Sequence, residues 1–266
     1  MPQIHPTAIV APGAQLAEDC VVGPYCVVGE HVTLGAGVSL RAHVVVDGQT
    51  TIGERTRIFP FASIGAEPQD LKYCGEESTL VIGSDNTIRE YVTMNPGTEG
   101  GGMVTRVGDN GLFMVGVHIA HDCQVGDHVV LANNATLGGH VIVEDYAFLG
   151  GLAAVHQFVR IGRHAMIGGM SGVERDVIPY GQVMGDRARL TGLNIIGMQR
   201  RGFSREDIQG LRSAYQFLFS ADGTFNDRVN EVAERFGDIG PVADILSFIR
   251  ADSNRAICQP KGANGG

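Results

Sequence analysis

One aliphatic residue recurs at every sixth position through most of the chain. From Ile4 the series runs Val10, Leu16, Val22, Val28, Leu34, Leu40, Val46, Ile52, Ile58 and Ile64, and all eleven are aliphatic. In a chain that is 44% hydrophobic, eleven such hits in one chosen register arise by chance about once in ten thousand. The series restarts at Ile82, Ile88 and Met94. After a slip of one residue it runs from Val107 through Phe113, Ile119, Val125, Leu131, Leu137, Val143, Leu149, Val155, Ile161 and Ile167 to Val173. Four residues after each start the slot usually holds something small or β-branched, among them Ala8, Ala14, Cys20, Cys26, Val32, Cys123, Ala135 and Ala153.

A helix cannot use this period, because six residues carry it well past one turn and onto another face. A strand of period two can, provided the chain bends after every six residues. Three such segments close one triangular coil of 18 residues, and equivalent positions stack on the next coil at about 4.8 Å. Each coil then buries its aliphatics only against its neighbours. The small slot falls near the bend, so Cys20, Cys26 and Cys123 read as packing residues. The five cysteines form no CxxC pair and no metal-like cluster. The lack of Trp and the 38 glycines fit a chain of many tight bends filled by aliphatic side chains.

Two segments break the period. Residues 66–79 and 95–106 are polar or Gly-rich and read as loops thrown out of the coil wall. Loops of this length are uncommon in a compact domain unless they carry function. The period ends near Pro179, and the β-helix is assigned to residues 1–193. From 194 to 258 the chain reads as a small helical domain. Ile208, Leu211, Ala214, Tyr215 and Leu218 fall at helical spacing behind Ser204, which has Asp207 three residues on. A second helix is placed near Thr224 and a third after Pro241. Residues 259–266 read as a disordered tail.

A net charge of −9 argues against a general nucleic-acid role. The first twenty residues lack the basic and apolar regions of a signal peptide. Nor is there a run of about 20 apolar residues to span a bilayer. The expected location is the cytoplasm.

The 18-residue pitch gathers histidines. His156, Gly138 and Ala120 share one column, His121, Gly139 and Gln157 the next, and Asp122, His140 and Phe158 the one after. With His118 nearby, imidazoles face a strip of backbone that Gly138 and Gly139 leave without side chains. A base beside exposed N–H donors is the functional reading of this cluster, since a neutral His can act as a general base near pH 7. Several histidines together can also bind zinc. His31, His43, His128 and His164 are placed on the surface. A second glycine column, Asn133, Gly151 and Gly169, marks close approach by a ligand or by a neighbouring subunit. A basic group, Arg187, Arg189, Arg200, Arg201 and Arg205, reverses the local charge and suits either a solvated helix start or phosphate contacts.

The stretches DLKYCGE, HIAHDC, LANNATLGGHV, AVHQF, GGMSGV and RRGFSRE resemble the UDP-N-acetylglucosamine O-acyltransferases of lipid A synthesis, over essentially the whole chain. That resemblance implies a mainly β fold, a left-handed parallel β-helix followed by a small α-helical C-terminal domain. It implies a homotrimer with sites in clefts between β-helices. It also implies transfer of a 3-hydroxyacyl group from acyl carrier protein to the sugar 3-hydroxyl, with no cofactor beyond the phosphopantetheine that carries the acyl donor and no metal. His121 would be the base, Asp122 its support and the Gly139 N–H the oxyanion donor. Asp70 and Lys72 would contact the nucleotide sugar. His118, His140, His156, Gln157 and Asn194 would line the pocket. Arg200 and Arg201 would meet phosphate or the carrier protein, and Gly169 would set acyl length. The chain departs from the family pattern at Asn95-Pro96, at Asp186-Arg187 and at Ile196.

Three rival readings differ in class. The later N-acyltransferase of the same pathway has an extra N-terminal domain, whereas the hexads here start at Ile4. A β-helical zinc carbonic anhydrase usually has two histidines five apart, whereas His118 and His121 are three apart. An ice-binding rod needs a regular outward Thr ladder, which is not present.

Overall fold

The computed structural model describes residues 1–261. Two-residue strands alternate with bends from Gln3 to Val173 and build three parallel walls of a triangular prism. The first wall runs from Gln3–Ile4 to Met166–Ile167 and gains Gly181–Met184 and Arg189–Leu193 at its end. The second runs from Ile9–Val10 to Gly172–Val173, and the third from Gln15–Leu16 to Arg160–Ile161. Gln3 pairs with Val21 and Ile9 with Val27, which is the 18-residue pitch.

Inside each hexad two side chains turn inward. The recurring aliphatic and the small residue two places before it are both buried, as with Cys20 and Val22, Cys26 and Val28, or Cys123 and Val125. Both sets belong to one continuous core column. The small residue is needed because three walls converge there. Burial pushes the Cys123 thiol up to about 12, which fits a packing role.

The excursions explain the slip in period. Ser63 pairs with Thr93, 30 residues on, so the first excursion adds 30 − 18 = 12 residues, a whole number of hexads. Thr93 pairs with His118, 25 residues on, so the second adds 25 − 18 = 7, one more than a hexad. Both leave the corner between the second and third walls. Their ends are tighter than the sequence suggests: strand resumes at Thr79 and at Val104, so the loops cover 66–78 and 95–103. Leu80, Ile82, Thr105 and Val107 alternate inward there, and that alternation carries the wall back before the loop residues look finished.

Bends require one residue at positive φ, and non-glycine residues often take it. That conformation costs an L-residue about 1–2 kcal/mol. Rings stacked coil on coil offset part of it. Tyr25, His43, Phe61 and Tyr91 stack in sequence at 5.0, 5.1 and 5.3 Å. His128, Tyr146, His164 and Tyr180 do the same at another corner. His31, His43 and His128 are exposed, as expected. His164 is not: it is 8% exposed, sandwiched between Tyr146 and Tyr180 and covered edge-on by Phe203.

Beyond the coils, an antiparallel hairpin of Gly181–Met184 and Arg189–Leu193 precedes four helices. These are α1 (Ile195–Arg200), α2 (Arg205–Leu218), α3 (Phe225–Phe236) and α4 (Gly240–Arg250). Ser204 accepts from the Asp207 N–H and caps α2, and Thr224 with Asp227 forms a capping box on α3. Pro241 sits in the first turn of α4, where a missing N–H costs nothing. The short α1, capped by Asn194, has no counterpart among the helices expected from the sequence. The tail assignment also needs correction. Ile257 bridges to Asp176 and Pro260 to Leu190, so the chain through Pro260 is hydrogen-bonded to the β-helix rather than loose. Residues 262–266 of that assignment lie outside the described residues.

Burial holds the His164 ring at about 4, well below free imidazole. The unfolded chain therefore takes up a proton that the fold refuses. Stability from this group is present above the unfolded pKa of about 6.5 and is lost as pH falls from there toward 4. Denaturant melts across this window should fall less steeply for His164→Phe than for the natural chain. Parallel curves would show that His164 is not responsible.

Candidate active site

The corner between the second and third walls carries both excursions, and there the structure gathers His118, His121, Asp122, Gly139 and His140. Asp122 takes the bend at φ 60 and is 4% exposed. Its N–H donates to the Thr105 hydroxyl at 2.7 Å. Its carboxylate accepts from the Thr98 N–H at 2.9 Å, from the Thr98 hydroxyl at 2.6 Å and from His121 Nδ1 at 2.7 Å. A carboxylate only accepts, so the His121 proton resides on Nδ1 and Nε2 presents its lone pair. Gly101 lies so close over the Asp122 carboxylate that any Cβ there would collide with it.

The two stacked glycines have different reasons. A Cβ on Gly138 would meet backbone, at 2.9 Å from the Gln157 nitrogen. A Cβ on Gly139 would meet the His121 ring, at 2.6 Å from Nε2. Gly139 thus leaves room for the imidazole to lie against the wall. Its own N–H meets no acceptor among the described residues.

His140 stands edge-on to His121, with centroids 5.0 Å apart, and stacks flat on Phe158 at 4.3 Å. Burial lowers its pKa, with Asp122 and Asp70 opposing and His121 and Lys72 assisting. That influence places Asp70 and Lys72, on the first excursion, within electrostatic reach of the corner. His118 lies 2.7 Å from the Thr93 hydroxyl, and burial lowers it as well, with His121 adding to the effect. His156 and Gln157 follow along the same corner, exposed.

Sequence reasoning missed Thr98 and Thr105, which fix the carboxylate, and Asn95, whose Nδ2 donates to the carbonyls of Ala66 and Glu67 and ties one excursion to the other. Thr98 is visible in the sequence only as part of a loop, since nothing in a loop's composition says which hydroxyl will meet which coil.

The remaining expected residues lie elsewhere. Asn194, Arg200 and Arg201 line a cavity of about 740 Å³ with Phe148, Met166 and Gln182, against the outer face of the first wall. The Asn194 side chain accepts from the Gly197 N–H and donates to the His164 carbonyl, so its first duty is to the fold. Arg201 lies over the Tyr146 ring at 5.0 Å. Arg187 leaves the basic group to pair with Glu174 at 2.8 Å. Gly169 stacks on Gly151 at the corner between the first and second walls. In a triangular prism the first wall is opposite the corner that holds His121. One chain cannot bring the two groups together.

Known proteins share this architecture. Residues 176–258 match the second domain of UDP-N-acetylglucosamine O-acyltransferase, and residues 1–36, 13–48 and 105–139 match bacterial transferase hexapeptide repeats. The acyl-[acyl-carrier-protein]--UDP-N-acetylglucosamine O-acyltransferase of Caulobacter vibrioides is 56% identical over 97% of this chain and 98% of that relative. The chain belongs to the UDP-N-acetylglucosamine O-acyltransferase family. A crystal structure of a UDP-N-acetylglucosamine acyltransferase superposes with a TM-score of 0.94 at 43% identity, covering 98% of this chain and all of the other. The Francisella novicida enzyme gives 0.93 at 36% identity, over 98% and 95%. The prism is accordingly the left-handed parallel β-helix of this acyltransferase family, with its C-terminal helices. The zinc reading gains nothing from these relatives. His121, Asp122 and His140 do place ligand atoms within 4.8 Å of one another. However, the Asp122 oxygens are already taken by Thr98 and His121.

With both rings lowered, His118 and His140 should be mostly neutral at pH 6.5. Proton NMR titration of the imidazole signals should place both midpoints below free histidine. A midpoint at or above about 6.5 for His140 would contradict its burial in this corner.

Proposed function

We propose that the protein transfers an (R)-3-hydroxyacyl group from acyl carrier protein to the 3-hydroxyl of UDP-N-acetylglucosamine, the first step of lipid A biosynthesis. The observation that carries this reading is His121, tautomer fixed by Asp122, lying against the bare Gly139 backbone. Its support is the family's curated activity.

The steps balance on these groups. His121 Nε2 takes the proton of the sugar 3-hydroxyl as that oxygen attacks the thioester carbonyl. The carbonyl oxygen becomes an oxyanion, for which the Gly139 N–H is a ready donor. Asp122 stabilises the imidazolium. The C–S bond then breaks, the ester forms, and the phosphopantetheine thiolate takes the proton back from His121. No enzyme-bound acyl group is formed, and the chain's own residues handle every charge without a cofactor or metal. Neutral His118 and His140, with Asp70 and Lys72, would hold the sugar. His156 and Gln157 would line the continuing groove.

The separation of His121 from Asn194, Arg200, Arg201 and Gly169 supports a homotrimer. Three prisms around an axis set the corner of one against the first wall of the next, and each cleft gains a base from one chain and arginines from its neighbour. No helix among the described residues is long and apolar enough to cross a membrane, and with a carrier-bound donor and a nucleotide sugar we place the reaction in the cytoplasm.

The decisive experiment supplies 3-hydroxyacyl carrier proteins of several lengths with UDP-N-acetylglucosamine and looks for acylated nucleotide sugar. His121→Ala should lower turnover by about 100-fold or more, the usual scale of a lost general base. Mixed trimers of His121→Ala and Arg201→Ala, each poor alone, should regain activity because some clefts hold both intact residues. Failure to regain it would argue for sites within one chain. Gly169→Met should shift preference to shorter acyl chains, since a side chain there meets only the Gly151 backbone and projects outward. An unchanged preference would remove Gly169 from that role.

A further inference from the structure

After α4 the chain folds back along the β-helix. Asp176 is fully buried and anchors the returning segment. Its carboxylate accepts from the Arg160 N–H at 2.8 Å, from Arg160 Nε at 2.7 Å and from the Ser253 hydroxyl at 2.5 Å. Ser253 Oγ in turn accepts the Arg255 N–H at 3.1 Å. This chain of bonds sets the Arg255 guanidinium against the groove corner. Its Nη2 lies 2.7 Å from His156 Nδ1, and its Nε donates to the Gln157 carbonyl at 3.2 Å. Residues 99 positions apart in sequence thereby meet.

The contact fixes a proton. A guanidinium offers five donors and no acceptor. A ring nitrogen 2.7 Å from it must present a lone pair, so His156 Nδ1 is bare and the proton sits on Nε2. The Gln157 carbonyl, 3.2 Å from the same Nδ1, is the competing partner. Without the guanidinium, an Nδ1–H would donate to that carbonyl and leave Nε2 bare. His156 is exposed, and with its Nδ1 edge covered by Arg255 the edge left for a ligand is Nε2. One arginine chooses whether that edge donates or accepts.

We propose that Arg255 is a positioning residue for acyl transfer: it holds His156 as the Nε2–H tautomer, which donates to a neutral oxygen, carbonyl or hydroxyl, of a bound substrate. The proposal rests on the acyltransferase reading for the identity of that substrate. Both substrates carry such oxygens, the acyl donor in its amide and hydroxyl groups and the nucleotide sugar in its hydroxyls.

The test combines ¹⁵N NMR of the histidine side chains with kinetics on Arg255→Leu, Arg255→Lys, His156→Ala and the Arg255→Leu/His156→Ala pair. In the natural protein the His156 signals should show protonated Nε2 and bare Nδ1. In Arg255→Leu they should move toward the Nδ1–H form. The KM for one substrate should rise about 10-fold, the scale of one lost hydrogen bond, with kcat changing less. Arg255→Lys, which keeps a donor and a charge and guards against a merely loosened tail, should recover most of the loss. The paired variant should be no worse than His156→Ala alone, because Arg255 acts through that ring. A rise confined to the acyl carrier protein assigns the acceptor oxygen to the acyl donor, and one confined to the nucleotide sugar assigns it to the sugar. An unchanged His156 spectrum in Arg255→Leu overturns the proposal, as do single-variant losses that simply multiply in the pair. If the natural protein transferred no acyl group at all, the acyltransferase reading would fail, and the spectrum alone would judge the tautomer lock.

Discussion

Everything in this molecule depends on the register with which one coil hydrogen-bonds to the next. A residue pairs with the one 18 positions later wherever no excursion intervenes. That rule turns spacing in sequence into stacking in space. It puts aliphatics in one column, small residues in another and positive-φ rings in a third. It also tolerates insertion at a corner, provided the chain returns to the same wall. Twelve extra residues preserve the hexad phase and seven shift it by one. The wall itself continues undisturbed through both.

The same rule decides what could be read from the sequence. The walls, the inward cysteines and the stacking of His121 above Gly139 all follow from counting in eighteens, because they depend on neighbours along the coil axis. His164 escapes that counting for an equally physical reason. Its column partners Tyr146 and Tyr180 are visible by counting, but Phe203, which covers it from the side, arrives from beyond the coils. Thr98 and Arg255 share this illegibility. One sits on an excursion and the other on a returning tail, and periodicity does not say where either will land. The polar contacts that finish the corner come mainly from outside the repeat.

A division of labour follows. The repeat supplies a rigid wall with a strip of bare backbone, and the irregular segments supply the charges and hydroxyls that act on it. Asp122 belongs to the coil, yet its bonding is completed by Thr98 from an excursion. Loop residues are ordered here because each is fastened at several points: Asn95 to the carbonyls of the first excursion, and Glu99 through its N–H to Glu76. A corner made by the repeat alone would hold imidazoles without setting their protons.

Two histidines of one groove illustrate what setting the protons means. At His121 the Nδ1 partner is a carboxylate, which only accepts, so Nε2 is bare and can take a proton. At His156 the Nδ1 partner is a guanidinium, which only donates, so Nε2 carries the proton and can give a hydrogen bond. The rings are chemically identical and lie about two coils apart on the same corner. Their opposite roles come from the sign of the group behind each. A base needs an acceptor edge and a positioning donor needs the reverse, so a groove that both activates and orients must carry both kinds of partner. The coil provides the first from the adjacent residue. The second requires an arginine brought back from the far end of the chain, which gives the tail beyond α4 a reason to be fastened to the wall by the buried Asp176 carboxylate.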